Sequence, residues 1–278
     1  MKMAALYESV TNNIIRDLQQ GAIPWTKPWK TKAVGTIMPG NIVTGRSYHG
    51  INIPILWAAA IEKGYPSHHW LTFKQAQENG ATVRQGEKST HIVFVKRLRI
   101  GEEEDQRQTS MMKAFSIFNV AQVDGLTEAP IVEVPEVERL NNVETFITAT
   151  KADIHFGGDM AAYVPSRDFI TMPPVHSFKG MEHYYATALH ELGHWTGARW
   201  RLNRDLSGRF KTQAYAAEEL VAELNAAFLC ARLGIEGELR HSGYIESWIK
   251  LLKNDEKAIF TAASKASEAA DYLHAFSA

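Results

Sequence analysis

The sequence lacks the features that would cross-link the chain or hold it in a membrane. Cys230 is the one cysteine among 278 residues, so no disulfide can form within the chain. A small, buried apolar role fits this cysteine better than a nucleophilic one. No stretch approaches about 18 uncharged apolar residues, and residues 1–8 lack the apolar segment of a secretion signal. We therefore expect a protein of the reducing cytoplasm that does not contact a membrane.

Net charge is also nearly absent, but the two signs are unevenly distributed along the chain. The formal net charge is −1, with 30 Lys and Arg against 31 Asp and Glu. Residues 1–125 hold 15 basic and 10 acidic residues, whereas residues 126–278 hold 15 and 21. Positive charge therefore dominates the first half and negative charge the second.

The clearest motif is His-Glu-x-x-His at residues 190–194. Apolar residues recur at helical spacing through residues 185–192, which predicts an amphipathic helix. His190 and His194 are one turn apart and project from the same face, at the spacing that two nitrogen ligands of Zn²⁺ require. Glu191 lies beside them, placed to take a proton from water rather than to bind the metal.

A second helix, predicted over residues 215–229, offers the remaining ligand. One of its faces carries Glu219 and Glu223 among alanines, which indicates a buried polar role. A catalytic zinc site needs a third protein ligand, and two His with one Glu is a standard set. We assign Glu219 as this ligand and Glu223 as a carboxylate that orients a ligating His, with the reverse order left open. Zn²⁺ is the expected metal, and another divalent ion such as Mn²⁺ is compatible with these ligands.

The positive half interleaves aromatic and basic residues and holds four of the seven tryptophans. Aromatic side chains that stack on bases within a basic groove are what sequence-tolerant binding of single-stranded DNA requires. The alternative is that the aromatic residues form a core and the basic residues are merely solvated. The candidate DNA-binding residues are Trp25, Lys27, Trp29, Lys30, Arg46, Tyr48, Lys74, Arg84 and Lys88.

The periodicity predicts an α+β chain of two domains. Residues 1–125 form the first domain, and residues 126–140, rich in Pro and Glu, form the expected linker. Residues 141–278 form the second domain, in which short strands of a small antiparallel or mixed sheet precede the motif helix and further helices.

Within the first domain the pattern is specific enough to place several elements. A helix is expected over residues 3–20 and a short helix capped by Thr72. Two strands, at residues 90–96 and 111–120, are expected to form a hairpin whose tip is the acidic run at residues 102–105.

Ten stretches of the chain carry a resemblance to a known family. They are residues 23–25, 28–29, 41–52, 72–75, 83–88 and 115–122 in the first half, and 163–173, 190–197, 201–204 and 215–229 in the second. The first set resembles the N-terminal domain of ArdC-type antirestriction proteins of conjugative plasmids, and is also similar to part of plasmid-encoded DNA primases. The second set resembles the zincin-like metallopeptidase domain of the same antirestriction proteins.

The resemblance implies that the first domain binds single-stranded DNA and that the protein protects incoming plasmid or phage DNA from host restriction. It further implies a zinc-dependent metallopeptidase of unknown protein substrate, in which Glu191 transfers the proton. The fold is expected to be like that of DNA-linked metalloproteases, but Trp200 occupies the position of a third motif His. The third ligand is therefore left to a downstream carboxylate.

Two further points stay open at the level of sequence. By fold analogy, residues 168–172 are the expected sheet edge to which an extended substrate adds. The alternatives to an antirestriction peptidase are a DNA-binding protector whose metal site is structural, and a protease that clears proteins from DNA.

Overall fold

The structure is a computed structural model that describes residues 3–25, 38–100, 107–128, 134–205, 212–235 and 243–277. The chain is α+β, as its periodicity predicted, and it divides into two compact units. The first comprises Met1–Asn12 and Pro39–Ala129, and the second comprises Asn13–Met38 and Pro130–Ala278. The sequence placed all of residues 1–125 in the first domain, whereas Asn13–Met38 groups with the C-terminal unit.

Helix α1 (Met3–Gln19) contains the point at which the two units divide. Its apolar stripe is buried as the periodicity predicts, at Leu6, Ile14 and Leu18. The chain turns after the helix at Gly21, whose φ of +74° is a left-handed conformation that favours glycine.

The rest of the first unit contains strands and two helices. Its elements are β1 (Gly40–Asn41), α2 (Asn52–Lys63), β2 (His69–Thr72), α3 (Phe73–Glu78), β3 (Thr82–Val83), β4 (Thr90–Ile100), β5 (Arg107–Asn119) and β6 (Val123–Asp124). The main sheet has the order β1-β2-β5-β4, with β1 parallel to β2 and the other pairs antiparallel, and β3 pairs separately with β6.

Two local predictions for this unit are confirmed. Strands β4 and β5 form an antiparallel pair, as the hairpin prediction required. Thr72 caps α3, because its Oγ1 accepts a hydrogen bond from Gln75 N at 3.1 Å. The acidic tip predicted at residues 102–105 lies outside the described residues.

The main sheet is covered on both faces near β2. On one face Leu56 and Ala60 of α2 pack against Trp70, Ile92 and Ile117. The opposite face carries a second apolar cluster, formed by Leu71, Ala76, Ala81, Val120 and Val123. Alternation along the strands separates the two sets, since neighbouring residues such as 70 and 71 point to opposite faces.

The outer edge of β4 is closed at one point by a side chain. Asn52 Nδ2 donates to the Val93 carbonyl, and Val93 N donates to Asn52 Oδ1, both at 2.8 Å. Asn52 is buried and lies at the start of α2. Its amide thus takes the place that a neighbouring strand would occupy at Val93.

In the described residues, the second unit adds five helices and three strands, arranged around α5 and α6. Its elements are α4 (Glu136–Ala149), β7 (Asp153–Phe156), β8 (Ala162–Val164), β9 (Phe169–Met172), α5 (Met181–Thr196), α6 (Gln213–Leu233), α7 (Ile245–Asn254) and α8 (Ala258–His274). Because α4 begins at Glu136, the end of the expected linker is helical. Among the described helices, none is both long and apolar enough to cross a membrane.

The sheet of the second unit confirms one expectation and corrects another. Its order is β7-β9-β8, with β7 parallel and β8 antiparallel to β9, so the small sheet is mixed. Strand β9 is paired on both sides and has no open edge, so residues 168–172 are not the sheet edge expected for an added substrate strand. Within this sheet β8 is an edge strand, and it packs against α5.

Candidate metal centre

Helices α5 and α6 approach each other closely because Gly193 has no side chain. A Cβ at this position would lie 2.9 Å from Asn225 Nδ2 and 3.1 Å from Ala222 Cα. Asn225 is fully buried, and its Nδ2 donates to the Leu189 carbonyl at 3.0 Å. The glycine of the motif therefore lets α6 present its carboxylates directly to the two histidines of α5.

Three side chains from these helices converge on one point. His190 Nε2 lies 3.5 Å from Glu219 Oε2, and His194 Nε2 lies 3.5 Å from Glu219 Oε1. One ligand atom from each residue lies within 4.8 Å of the other two. Two imidazole nitrogens and a carboxylate oxygen are donors that suit Zn²⁺ and are compatible with Mn²⁺. The residues therefore fit a divalent metal, with Glu219 where the third ligand was expected.

The second nitrogen of each imidazole faces a further carboxylate. His190 Nδ1 lies 3.6 Å from Glu223 Oε2, and His194 Nδ1 lies 3.2 Å from Glu218 Oε1. A carboxylate at Nδ1 fixes the ring orientation and favours the tautomer whose Nε2 lone pair is free for a metal. Glu223 thus lies where an orienting carboxylate was expected, and Glu218 is a functional candidate that the sequence analysis missed.

Arg204 holds Glu218 in place and was missed as well. Its Nε and Nη2 donate to the two oxygens of Glu218 at 3.0 and 2.9 Å. Its Nη2 also donates to the Gly193 carbonyl at 2.6 Å, and its Nη1 to Thr196 Oγ1 at 2.8 Å. Arg204 is 9% exposed, so it belongs to the core of the site and not to a solvated face. Its place in the matching stretch 201–204 was the signal available in the sequence.

Carboxylates are buried around this point at unusual density. Glu191, Glu219 and Glu223 are all at most 7% exposed. Burial alone raises the pKa of Glu219, but the hydrogen bond with His190 and the nearby imidazole charges outweigh it, so the pKa lies below its ordinary value. Burial likewise lowers the pKa of His190, yet hydrogen bonds to Glu219 and Glu223 hold it well above its ordinary value. A protonated His190 would have to give up its proton to a bound metal, so metal binding is expected to depend on pH.

Glu191 is fixed by the neighbouring sheet. Its Oε2 accepts a hydrogen bond from Tyr163 N of β8 at 2.8 Å. Together with His190, His194 and Glu219 it lines a cavity of about 670 Å³. A cavity of this size can hold a small ligand or part of a peptide, so Glu191 can meet a bound molecule beside the three donors.

Two phenols line the same cavity. Tyr215 Oη and Tyr244 Oη lie 3.2 Å apart, and both residues border the cavity that contains Glu219. Burial raises the pKa of both phenols above the ordinary value for tyrosine. Both groups therefore stay protonated near neutral pH and can donate hydrogen bonds.

A clamp of polar contacts connects the β8–β9 turn with the end of α5. Arg201 Nη1 and Nη2 donate to the two oxygens of Asp168 at 2.8 and 2.7 Å, and Nη1 also donates to the Trp195 carbonyl at 2.9 Å. The guanidinium carbon lies 3.5 Å from the centre of the Trp195 ring. Tyr163 Oη donates to Asp168 Oδ1 at 2.9 Å. Since the Tyr163 backbone holds Glu191, this clamp positions the carboxylate.

Among the candidate DNA-binding residues, Trp25 is not available for stacking. It is 4% exposed, and its ring packs edge-to-face on Trp248 at 5.7 Å within the second unit. The assignment of Trp25 to base stacking is therefore wrong, because composition does not distinguish a core tryptophan from an exposed one. Lys27, Trp29 and Lys30 lie outside the described residues.

The other DNA-binding candidates lie at the surface and differ in how many contacts they make with the rest of the first unit. Arg84 pairs with Glu87 at 3.0 Å and with Asp124 at 3.3 Å, and it also donates to the Ala121 carbonyl. Tyr48 is half-buried against the cluster beneath α2. Arg46, Lys74 and Lys88 are exposed. Arg84 and Tyr48 are thus largely occupied by structural contacts, and the three exposed residues stay predicted DNA contacts.

Comparisons with protein families divide the chain in the same order. The N-terminal domain of anti-restriction factor ArdC matches residues 4–122, and a zincin-like metallopeptidase domain matches residues 141–265. The fold and the three convergent donors thus define a two-part protein whose second part is a zincin-like metal-binding domain.

Full-length relatives identify the family. The chain belongs to the ArdC antirestriction family. It is 41% identical to protein y4eC of Sinorhizobium fredii, across 97% of this chain and 92% of the relative. It is 37% identical to the metal-free crystal structure of antirestriction protein ArdC from plasmid R388, with a TM-score of 0.82 and coverage of 98% and 97% of the two chains. The chain is 38% identical to the Mn(II)-bound structure of that protein, with a TM-score of 0.80 and coverage of 98% of each chain.

Part of a larger protein is also similar. Two forms of DNA primase TraC from Escherichia coli are 36% and 38% identical across 97% of this chain. The chain spans only 20% and 27% of the length of these two primases. The similarity therefore concerns one region of each primase and not its whole length.

Proposed function

We propose that this protein is an antirestriction factor that binds single-stranded DNA and also hydrolyses peptide bonds at a metal centre. The convergence of His190, His194 and Glu219 beside the buried carboxylate of Glu191 carries the proposal for hydrolysis. Four ionisable side chains together in a core are costly unless they are paired or bind an ion. A cavity that reaches all four gives the arrangement access to a substrate.

In this proposal His190, His194 and Glu219 hold the metal, and Glu223 and Glu218 orient the two imidazoles. A bound divalent metal supplies a Lewis acid that polarises a carbonyl and lowers the pKa of water. Glu191 accepts a proton from the attacking water on its carboxylate and delivers it to the leaving amine. The hydrogen bond from Tyr163 N keeps the carboxylate beside the cavity during both transfers.

The phenols of Tyr215 and Tyr244 offer hydrogen bonds to a bound substrate. Tyr215 and Tyr244 place two O–H donors beside Glu219. A donor on that side can bind the carbonyl oxygen of the substrate as negative charge develops on it. We assign this role to the phenol pair.

Zn²⁺ and Mn²⁺ are both candidates for the native metal. The nitrogen-rich donor set favours Zn²⁺, which commonly takes two His and one Glu in catalytic sites. The R388 relative was crystallised with Mn(II), which supports manganese as the alternative. Metal content of the purified chain, measured against protein concentration, distinguishes the two.

Single-stranded DNA is the proposed partner of the first unit. The match to the ArdC N-terminal domain, the excess of basic residues in residues 1–125 and the similarity to a region of DNA primases support it. Protection of incoming plasmid or phage DNA from host restriction is the proposed outcome, and the cytoplasm the proposed location.

Glu191→Gln tests the peptidase proposal most directly. Gln keeps an oxygen that can accept from Tyr163 N but cannot take up a proton. We expect unchanged metal content and DNA affinity, with hydrolysis of a generic unfolded protein reduced by about 10²–10⁴-fold. The assay is run with and without single-stranded DNA, and His194→Ala serves as the control that loses metal and hydrolysis together. An active Glu191→Gln variant would contradict the assigned role.

A second candidate function is protection by binding alone. The excess positive charge of residues 1–125 favours it, since a basic domain that coats DNA needs no hydrolysis. In that case Glu191→Gln protects DNA from a restriction enzyme as well as the parent does, and the peptidase serves another purpose, such as clearing proteins from transferred DNA. A variant that binds DNA normally yet fails to protect it would favour the peptidase.

A further inference from the structure

Two phenylalanines of the first unit are exposed next to each other. Phe94 on β4 is 60% exposed and Phe115 on β5 is 44% exposed. Their ring centroids lie 5.8 Å apart and the rings are inclined at 77°, an edge-to-face pair. We call this pair the Phe94–Phe115 platform. Two adjacent aromatic rings that a fold keeps in water are more informative than scattered apolar residues.

The strand register shows why the platform is open. Phe115 pairs with Ile92, and Phe94 pairs with Lys113. Residues opposite each other in an antiparallel pair share a face, so the platform continues the face on which Ile92 and Ile117 are buried. Helix α2 covers that face at Ile92 and Ile117, and the exposure of both Phe rings shows that its cover ends before them.

The charge next to the platform is positive. Lys113, directly opposite Phe94 in the register, is exposed. Aromatic rings that offer faces to bases, together with cations that follow a phosphate backbone, are the features of single-strand binding sites. Duplex DNA keeps its base faces stacked inside the helix, so it would gain little from such rings.

We propose that the Phe94–Phe115 platform is the surface on which bases of single-stranded DNA stack, with Lys113 contacting the backbone. The inference rests on the proposed DNA binding of the first unit and gives it a location. The platform takes the stacking role that the sequence had assigned to Trp25, which is buried. Strand-based recognition of this kind uses exposed aromatic side chains of a sheet as the stacking surface.

The test measures binding of the full chain to a fluorescent oligothymidine by anisotropy at several salt concentrations. Phe94→Leu and Phe115→Leu keep an apolar side chain but remove the π face. We expect each to lower affinity by about 5- to 100-fold, whereas Phe94→Tyr keeps the affinity within a few-fold. Lys113→Ala should lower affinity and reduce the salt dependence by about one ion.

Phe73→Leu is the matched control. Phe73 is 49% exposed, and its ring contacts Phe118, which pairs with Leu71 on the opposite face of the sheet. We expect its DNA affinity to equal that of the parent. Melting temperatures of all variants are measured alongside, and Phe94→Tyr keeps the comparison valid if a leucine variant loses stability.

Three results would overturn the inference, and they differ from one another. Unchanged affinity in both folded leucine variants, with the parent binding normally, rejects the platform alone. A parent chain that does not bind the oligonucleotide rejects the proposed DNA function together with the platform. A leucine variant that changes the sedimentation mass of DNA-free protein but not its DNA affinity makes the platform a contact between copies of the chain.

Discussion

Gly193 and Asn225 lie so close that a single methyl group on Gly193 would stand 2.9 Å from the side-chain nitrogen of Asn225. Asn225 cannot easily move away, because the same nitrogen donates to the Leu189 carbonyl. The distance between α5 and α6 is therefore set at the motif itself.

Gly193→Ala should separate the two helices and weaken the metal centre. We expect a loss of about 1–3 kcal/mol in the free energy of unfolding, from overpacking in the core, with a parallel fall in metal affinity. Urea unfolding and metal titration measure the two effects. Gly180→Ala, at the start of α5 with no atom within 4 Å of its added Cβ, is the control and should keep its metal affinity.

Glu219→Gln should weaken metal binding more than Glu223→Gln. Glu219 faces Nε2 of both histidines, whereas Glu223 faces only Nδ1 of His190. We expect Glu219→Gln to lower affinity by roughly 100-fold or more and Glu223→Gln by roughly 10-fold, as for an orienting carboxylate. Competition with a chromogenic chelator gives both constants. The opposite order would exchange the two roles.

Arg204→Lys should lower metal affinity although Arg204 contacts no metal ligand directly. Lysine keeps the charge but cannot reproduce the fork that holds both oxygens of Glu218. We expect roughly a 10-fold loss of metal affinity. Glu218→Gln should cause a similar loss, and it tests the same contact from Arg204 through Glu218 to His194 while keeping the buried arginine. Arg199→Lys, at an exposed position, is the control. Normal affinity in both Arg204→Lys and Glu218→Gln would show that His194 needs no orienting partner.

Tyr215→Phe and Tyr244→Phe should separate substrate turnover from metal binding. Each removes one O–H donor from the cavity and leaves the ring in place. We expect kcat to fall by roughly 10²-fold in at least one variant, far more than metal affinity, although Tyr215 also hydrogen-bonds the ligand Glu219. Unchanged kcat in the double variant would remove the phenols from the proposed mechanism.

Asp168→Asn should lower stability at neutral pH and lose this effect in acid. Burial raises the pKa of Asp168, but hydrogen bonds from Arg201 and Tyr163 outweigh it and bring the pKa below its ordinary value. A carboxyl with a lowered folded pKa stabilises the fold above its unfolded pKa of about 3.9 and loses that contribution as pH falls through the folded pKa.

We therefore expect Asp168→Asn to cost about 1 kcal/mol at pH 7, with the gap to the parent narrowing below about pH 4. Denaturant unfolding across pH measures it. Asn is the suitable replacement because Asp168 has a φ of +56°, a conformation that Asn tolerates. A gap that is constant down to the lowest pH at which the parent folds would show that the charge of Asp168 is not the cause.

The sequence predicted those parts of the site that follow from helical periodicity. His190 and His194 are one turn apart, as are Glu219 and Glu223, so each pair shares a face whatever the rest of the fold does. Glu218 lies outside the face that Glu219 shares with Glu223, and its contact with His194 depends on how α5 and α6 cross. Arg204 reaches Glu218 only because the chain after α5 folds back, which residue spacing does not reveal.

Order within a sheet and burial of aromatic residues were harder to predict. The pattern of residues 168–172 predicts a strand, and β9 forms over Phe169–Met172, but the pattern does not show that β9 lies between β7 and β8. The sequence alone does not show that Trp25 is buried or that Phe94 is exposed. The packing of Trp25 on Trp248, more than 200 positions later, depends on the tertiary fold alone.

The amide of Asn52 on Val93 has a consequence for solubility. Strand β4 is long and ends its sheet, and an unpaired strand edge is a template on which a second chain can add and start aggregation. Asn52 occupies both backbone groups of Val93, next to the exposed ring of Phe94. A neighbouring molecule therefore finds no donor or acceptor there with which to extend the ladder. The fold can keep an apolar ring in water at this edge because the backbone beside it is already engaged.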